Sequence, residues 1–420
     1  MTRPTPPYDP DGHARPSAVP WNEAAARRAI VAIVTDTETA CDPHELWPAH
    51  PLDDIEGWLP PAFYGLYSGA AGVIWALDRL ARLAAVPRGA SFADRMDDVR
   101  RRNRAFLEPF LPDHAGYLQG DVGVLLVHWR LAPSRAIADQ LWQRIEANLA
   151  QPSNELMLGV SGTLLAACVL HEETGEERFA RAARDGFGAL SSALGAEDAR
   201  GCRLWRQDFL GRQVPFVGLV HGFAGNAAAL LRAAASATRD EQRALHRLVR
   251  RTVCALAVGD ATLANWPGVD PTEEQASVAE RSASLVQICH GAPGIVVGLR
   301  RLPPDAASSS DADAALATEQ LLRAAGELIW QAGPVAKGPG LCHGTAGNGY
   351  ALLALYARTG EPVWLERARI FAMHAIEQWR EHTARYGRGR YSLWTGDAGL
   401  ALYLWDCVRG EGEFPTVDVF

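Results

Sequence analysis

Apolar runs with helical spacing recur along the chain, and seven of them directly follow a G-x-x-G element. The first glycines of these elements are Gly69, Gly120, Gly159, Gly222, Gly291, Gly344 and Gly396. The runs behind them include VIWALDRLARL from Val73, TLLAACVL from Thr163, NAAALLRAAA from Asn226 and NGYALLALYA from Asn348. Between them lie segments with a single apolar face. EPVWLERARIFAMHAIEQWR places Trp364, Ala368, Phe371, Ala375 and Trp379 on one side of a helix, and RDEQRALHRLVRRTVCALAV reads the same way. Alternation at period two is scarce. The pattern predicts an all-α chain in which a helix pair of about 40–70 residues is used seven times.

The glycines have a local reason. A chain entering a helix at close quarters needs backbone without Cβ, and free N–H groups at such a start can face a ligand. Seven such turns on one side of a stack would collect the helix starts on one face. A closed ring of pairs buries every repeat, whereas an open solenoid leaves ends. The end copies are no more polar than the middle ones, so a closed ring is expected, with residues 21–420 as one domain. Residues 1–20 are Pro-rich and are expected to be flexible. Residues 195–215 form an insertion before the fourth turn, of the kind that shapes a site's rim, and residues 303–313 read as a surface loop.

Composition narrows the function. Apolar residues make up 48% of the 420 positions and charged residues 21%, as in a folded soluble chain. The net charge of −8 argues against a broad grip on nucleic acid. No apolar run has the length of a membrane span, and the first twenty residues lack the apolar core of a secretory leader. The seven cysteines are odd in number and scattered, which fits a reducing cytoplasm. Only one of the 41 basic residues is a lysine, Lys337.

Chemistry concentrates in the turns. VHGFAG, ICHGAPG and LCHGTAG place His221, His290 and His343 directly before the glycine, and Cys289 and Cys342 precede two of these histidines. Equivalent positions of neighbouring repeats lie close together in a stack. Thiolate and imidazole are the usual zinc ligands, and three protein ligands leave a fourth position for water or substrate. The alternative is that these are small polar residues satisfying buried turns. Two matching Cys-His pairs and a third histidine favour the metal.

These motifs resemble the lanthionine synthetase C-like proteins over nearly the whole chain. GLYSGAAGVIWAL, GYLQGDVGVLLV, NELMLGVSGTLLA, GLVHGFAGNAAALL, ICHGAPGIVVGL, KGPGLCHGTAGNGYALL and YSLWTGDAGLALYL fall in the family's order. CHGAPG, KGPGLCHG and the late Phe414-Pro415 pair are most similar to the stand-alone branch also found in eukaryotes. The resemblance implies an α/α toroid of seven helix pairs, with inner and outer rings, around one zinc ion. It implies Cys289, Cys342 and His343 as zinc ligands and His221 as the catalytic histidine. It places Glu155 and Lys337 at catalytic positions, and Arg3, Arg388 and Arg390 among substrate-binding arginines. His290 stands where lantibiotic cyclases usually carry tyrosine, which implies a role beside the metal, in substrate binding or proton transfer, over a fourth ligand.

The implied chemistry is zinc-dependent thioether formation. A metal-bound thiol loses its proton and adds to dehydroalanine or dehydrobutyrine in a peptide or protein, and an acid then protonates the enolate. For the stand-alone branch the expected thiol is glutathione. Two alternatives stand beside this: a lanthionine-forming cyclase of a ribosomal peptide, and a non-catalytic zinc- or glutathione-binding scaffold. Other α/α toroid enzymes are disfavoured, since no D-x-D-D or D-D-x-x-D signature is present.

Overall fold

In the computed structural model the described residues are 7–54, 57–209, 212–270, 284–304 and 312–420. Each glycine turn starts a helix buried along most of its length. These inner helices are α2 (Ala70–Arg82), α4 (Asp121–Leu131), α6 (Val160–Thr174), α8 (Phe223–Ala233), α10 (Ala292–Gly298), α12 (Thr345–Thr359) and α14 (Asp397–Arg409). In α6 every residue from Val160 to Leu170 is buried. The alternating outer helices are α1 (Glu23–Thr39), α3 (Met96–Leu107), α5 (Arg135–Ala147), α7 (Glu177–Ser192), α9 (Arg239–Leu256), α11 (Ala312–Ala332) and α13 (Pro362–Tyr386). They bury one face each. In α13 that face carries Trp364, Ala368, Phe371 and Ala375, with Trp379 packed at its edge.

The ring closes. Each inner helix packs on the next, α14 packs on α2, and the first outer helix α1 covers α14. The turns are stitched together as well. Tyr67 N–H donates to Leu118 O (2.9 Å), Leu118 N–H to Met157 O (3.1 Å), Cys342 N–H to Trp394 O (2.8 Å) and Trp394 N–H to Tyr67 O (3.0 Å). The last of these bonds joins the seventh turn to the first. The fold is therefore the all-α toroid of seven pairs. Residues 414–420 run inside it, where Phe420 packs on Trp75 and Tyr117 and Tyr117 OH donates to Thr416 O.

Close approach explains the second glycine of every turn. A Cβ on Gly72, Gly123, Gly162, Gly225, Gly294, Gly347 or Gly399 would sit 1.8–2.3 Å from the carbonyl oxygen six residues upstream. One expectation is corrected here. The first N–H groups of α2, α4, α8, α12 and α14 do not face a ligand. Ala70, Asp121, Phe223, Thr345 and Asp397 donate to carbonyls seven residues upstream, at 2.8–3.2 Å. The turns satisfy their own helix starts, and the site is left to side chains.

Two short hairpins interrupt the helices. Gln207–Phe209 pairs with Arg212–Val214, and Val258–Gly259 with Ala264–Asn265. Of the N-terminal twenty residues, 1–6 lie outside the described set. Beyond them, Asp9 N–H donates to Ser284 O and Ala14 N–H to Pro334 O, and Ser17 Oγ donates to Glu377. The expected loop at 303–313 lies largely outside the described residues.

Candidate metal centre

The shared register of the turns puts chemically equivalent positions side by side. Two residues before the first glycine, the chain carries Tyr67, Leu118, Met157, Val220, Cys289, Cys342 and Trp394 in ring order. One residue before it, the fourth, fifth and sixth turns carry His221, His290 and His343. Cys289 and Cys342 are buried on adjacent turns. Among the described residues, the donor atoms of Cys289, Cys342 and His343 all lie within 4.8 Å of one another. Cys342 Sγ is 3.8 Å from His343 Nε2. Bonds of about 2.3 Å to sulfur and about 2.0 Å to nitrogen space the donors of a tetrahedral zinc about 3.5–3.8 Å apart, so the three residues fit that ion.

The electrostatics are those of a thiol–thiolate pair. Burial pushes both thiols up. Cys342 overcomes this because its sulfur accepts from Cys289, His343 and Tyr67, which hold it well below the ordinary thiol range. Cys289, buried and beside that thiolate, is driven well above it.

The neighbouring turns carry a second pair. His221 Nδ1 lies 2.9 Å from Glu155 Oε2. Glu155 is 1% exposed, and its carboxylate also accepts from the N–H groups of Met157, Leu158 and Gly159 at 2.9, 2.5 and 3.1 Å. It thus caps α6 and orients the imidazole at once. Burial lowers the affinity of His221 for a proton, but the Glu155 carboxylate outweighs burial and holds the imidazole above its ordinary value. His290 behaves oppositely. Burial, then the charge of His221, lowers it to about 4, and it stands outside the three-residue cluster. The insertion before the fourth turn delivers Phe216, whose ring lies 5.9 Å from that of His221 and 6.2 Å from that of His290.

A cavity of about 440 Å³ opens beside His343, lined also by Lys337, Arg388, Arg390, His50, His382 and Asp397. Lys337 is exposed and its charge reaches Cys289. The arginines are already engaged: Arg388 donates to Ala49 O at 2.8 Å, and Arg390 pairs with Asp53. Arg3 lies outside the described residues. Sequence reasoning did not single out Tyr67, Phe216 or Asp397. For Tyr67 the signal was present, since it shares the turn position of both cysteines.

A profile of the family described as "Lanthionine synthetase C-like protein" matches residues 60–419. The chain belongs to this family. Among lanthionine synthetase C-like relatives, it is 31% identical over 217 residues to "Glutathione S-transferase LANCL1" of Danio rerio, covering 49% of this chain and 47% of that one. It is 35% identical over 140 residues to "LanC-like protein GCL1" of Arabidopsis thaliana, covering 32% and 30%. The matched stretches thus span less than half the length of either relative. Among solved structures, "Nisin cyclase" superposes with a TM-score of 0.59 at 14% identity, covering 93% of this chain and 96% of that one. That likeness bears on the fold. No helix among the described residues is long and apolar enough to cross a membrane.

Proposed function

We propose that this chain is a zinc-dependent thioether-forming enzyme that adds a thiol, glutathione in the first instance, to dehydroalanine or dehydrobutyrine residues of a peptide or protein. The observation that carries this reading is the convergence of the Cys289, Cys342 and His343 donor atoms within 4.8 Å, in a ring whose neighbouring turns hold His221 against Glu155. Cys289, Cys342 and His343 would hold a zinc ion, which lowers the pKa of a bound thiol and so supplies a thiolate at neutral pH.

In the addition a sulfur electron pair forms the C–S bond to the alkene β-carbon. The π electrons move onto the carbonyl oxygen, and the α-carbon then takes a proton. His221 is the group that delivers it. Glu155 grips Nδ1 and raises the proton affinity of the ring, which leaves Nε2 to face the exchange. Phe216, against both imidazoles, keeps water from the alkene. Lys337, with Arg388 and Arg390 at the cavity, attracts the carboxylates of an acidic thiol. The seven free cysteines support a reducing compartment, the cytoplasm, as its place of work.

The test is direct. Purified protein with bound zinc is offered a dehydroalanine peptide and glutathione, and the adduct is followed by mass spectrometry. Enzyme-dependent adduct formation supports the reading, and zinc-loaded protein that yields no adduct with any thiol overturns it.

A further inference from the structure

Tyr67 occupies, in the first turn, the position that Cys289 and Cys342 occupy in theirs. Round the ring the order is Cys289, Cys342, Trp394, Tyr67. Cys342 N–H donates to Trp394 O, and Trp394 N–H donates to Tyr67 O. Tyr67 is therefore two places from Cys342, with the indole of Trp394 between them. The phenol crosses that gap by stacking on the indole, with centroids 5.4 Å apart and planes at 25°. The indole is itself fixed: fully buried, packed 5.2 Å from Phe414, and donating Nε1–H to Thr416 Oγ1. A stacked phenol on an immobile platform has one direction for its hydroxyl, and that hydroxyl hydrogen-bonds to the Cys342 sulfur.

The proposed chemistry makes this contact consequential. A centre that activates a guest thiol beside an activated alkene also holds two thiolates of its own. Were Cys342 to attack the alkene, its sulfur pair would form the new C–S bond, the α-carbon would take the proton, and the donor set would be spent. A hydrogen bond donated to a thiolate draws charge from it, and nucleophilicity falls as basicity falls. Groups that hydrogen-bond to metal ligands also fix the ligand's orientation.

We infer that Tyr67 is a positioning residue of the metal centre, whose hydroxyl aims the Cys342 sulfur at the metal and keeps it from acting as the nucleophile. The inference rests on the function proposed above. It assigns to the first turn, which carries neither cysteine nor histidine at this position, a part in the site built by the fifth and sixth.

The experiment compares wild type with Tyr67→Phe, which keeps the stacked ring and loses the hydroxyl. Both are loaded with Co²⁺, and three readouts are taken: the thiolate-to-cobalt charge-transfer band, metal retention against a chelator, and alkylation of Cys342 by acrylamide, mapped by peptide mass spectrometry. The variant is expected to show a band at lower energy, about 10-fold weaker metal retention and alkylation faster by about the same factor. In a second arm that leaves the chain intact, wild type is grown with 3-fluorotyrosine, a stronger donor. Its band is expected to move to higher energy, and labelled Tyr67→Phe is expected to show no such move. Unchanged bands and unchanged alkylation in metal-loaded protein would overturn the role of Tyr67 alone. Failure of wild type and variant alike to bind metal would overturn both this role and the function on which it rests.

Discussion

Nδ1 of His221 sits 2.9 Å from Oε2 of Glu155 across two neighbouring turns, although the residues are 66 positions apart in the chain. The bond gives the carboxylate two duties, one toward the imidazole and one toward the start of α6. It also sets the protonation of His221, because the carboxylate favours the imidazolium more than burial opposes it.

Removing the imidazole therefore has a defined outcome. His221→Ala is expected to keep its zinc and to lose about 10²- to 10⁴-fold in turnover. Metal analysis and steady-state rates on the same preparation check this, and a full rate would remove His221 from the mechanism.

The pH profile follows from the same contact. As the acid, His221 works when protonated, so the rate should fall as pH rises through its raised value. Glu155→Gln takes away the charge that raises it, and the descending limb should move to lower pH. The linked stability has the same sign. A raised folded value contributes stability that is fully present below the unfolded histidine range and is lost as pH climbs through the folded value. Rate profiles and melting curves of the two proteins from pH 5 to 9 test both statements.

Asp397 makes a separate pH prediction. Burial raises its carboxyl to about 7, against the N–H donated by Arg390. A carboxyl raised on folding binds its proton more tightly in the folded chain. Stability should therefore be fullest near pH 4 and decline toward pH 7. Asp397→Asn keeps an acceptor for Arg390 and removes the titration. It should flatten the decline, by up to about 4 kcal/mol at pH 8. A denaturant midpoint that falls with pH equally in both proteins would contradict this.

Gly347 tests the turn geometry beside the cluster. A Cβ there would sit 1.8 Å from Leu341 O and 2.6 Å from Ile288 Cγ1. Gly347→Ala is expected to cost about 3 kcal/mol or more, since backbone must move. The shift should displace Cys342 and His343 and lower metal content with it. Calorimetry and metal analysis read the two effects independently.

Much of this architecture was legible because the repeat carries its own register. Aligning seven glycine turns puts Cys289, Cys342 and His343 on one face before any coordinate is known, and the buried face of α13 can be read from Trp364 to Trp379. What escaped depends on contacts that no period encodes. Tyr67 reaches Cys342 only because the seventh turn bonds to the first, at Trp394 N–H and Tyr67 O. Arg390 reads as a free cation in the sequence, and only the fold brings Asp53 against it. The helix starts read as open donors, yet carbonyls seven residues upstream close them.

The central claim is that Cys289, Cys342 and His343 hold one zinc with room for a guest thiol. X-ray absorption at the zinc edge of gently purified protein, before and after glutathione, tests it most directly. The account expects one zinc per chain bound by two sulfurs and one protein nitrogen, with a third sulfur entering on addition of the thiol. A metal-free protein, or a four-ligand protein sphere that glutathione leaves unchanged, would contradict it.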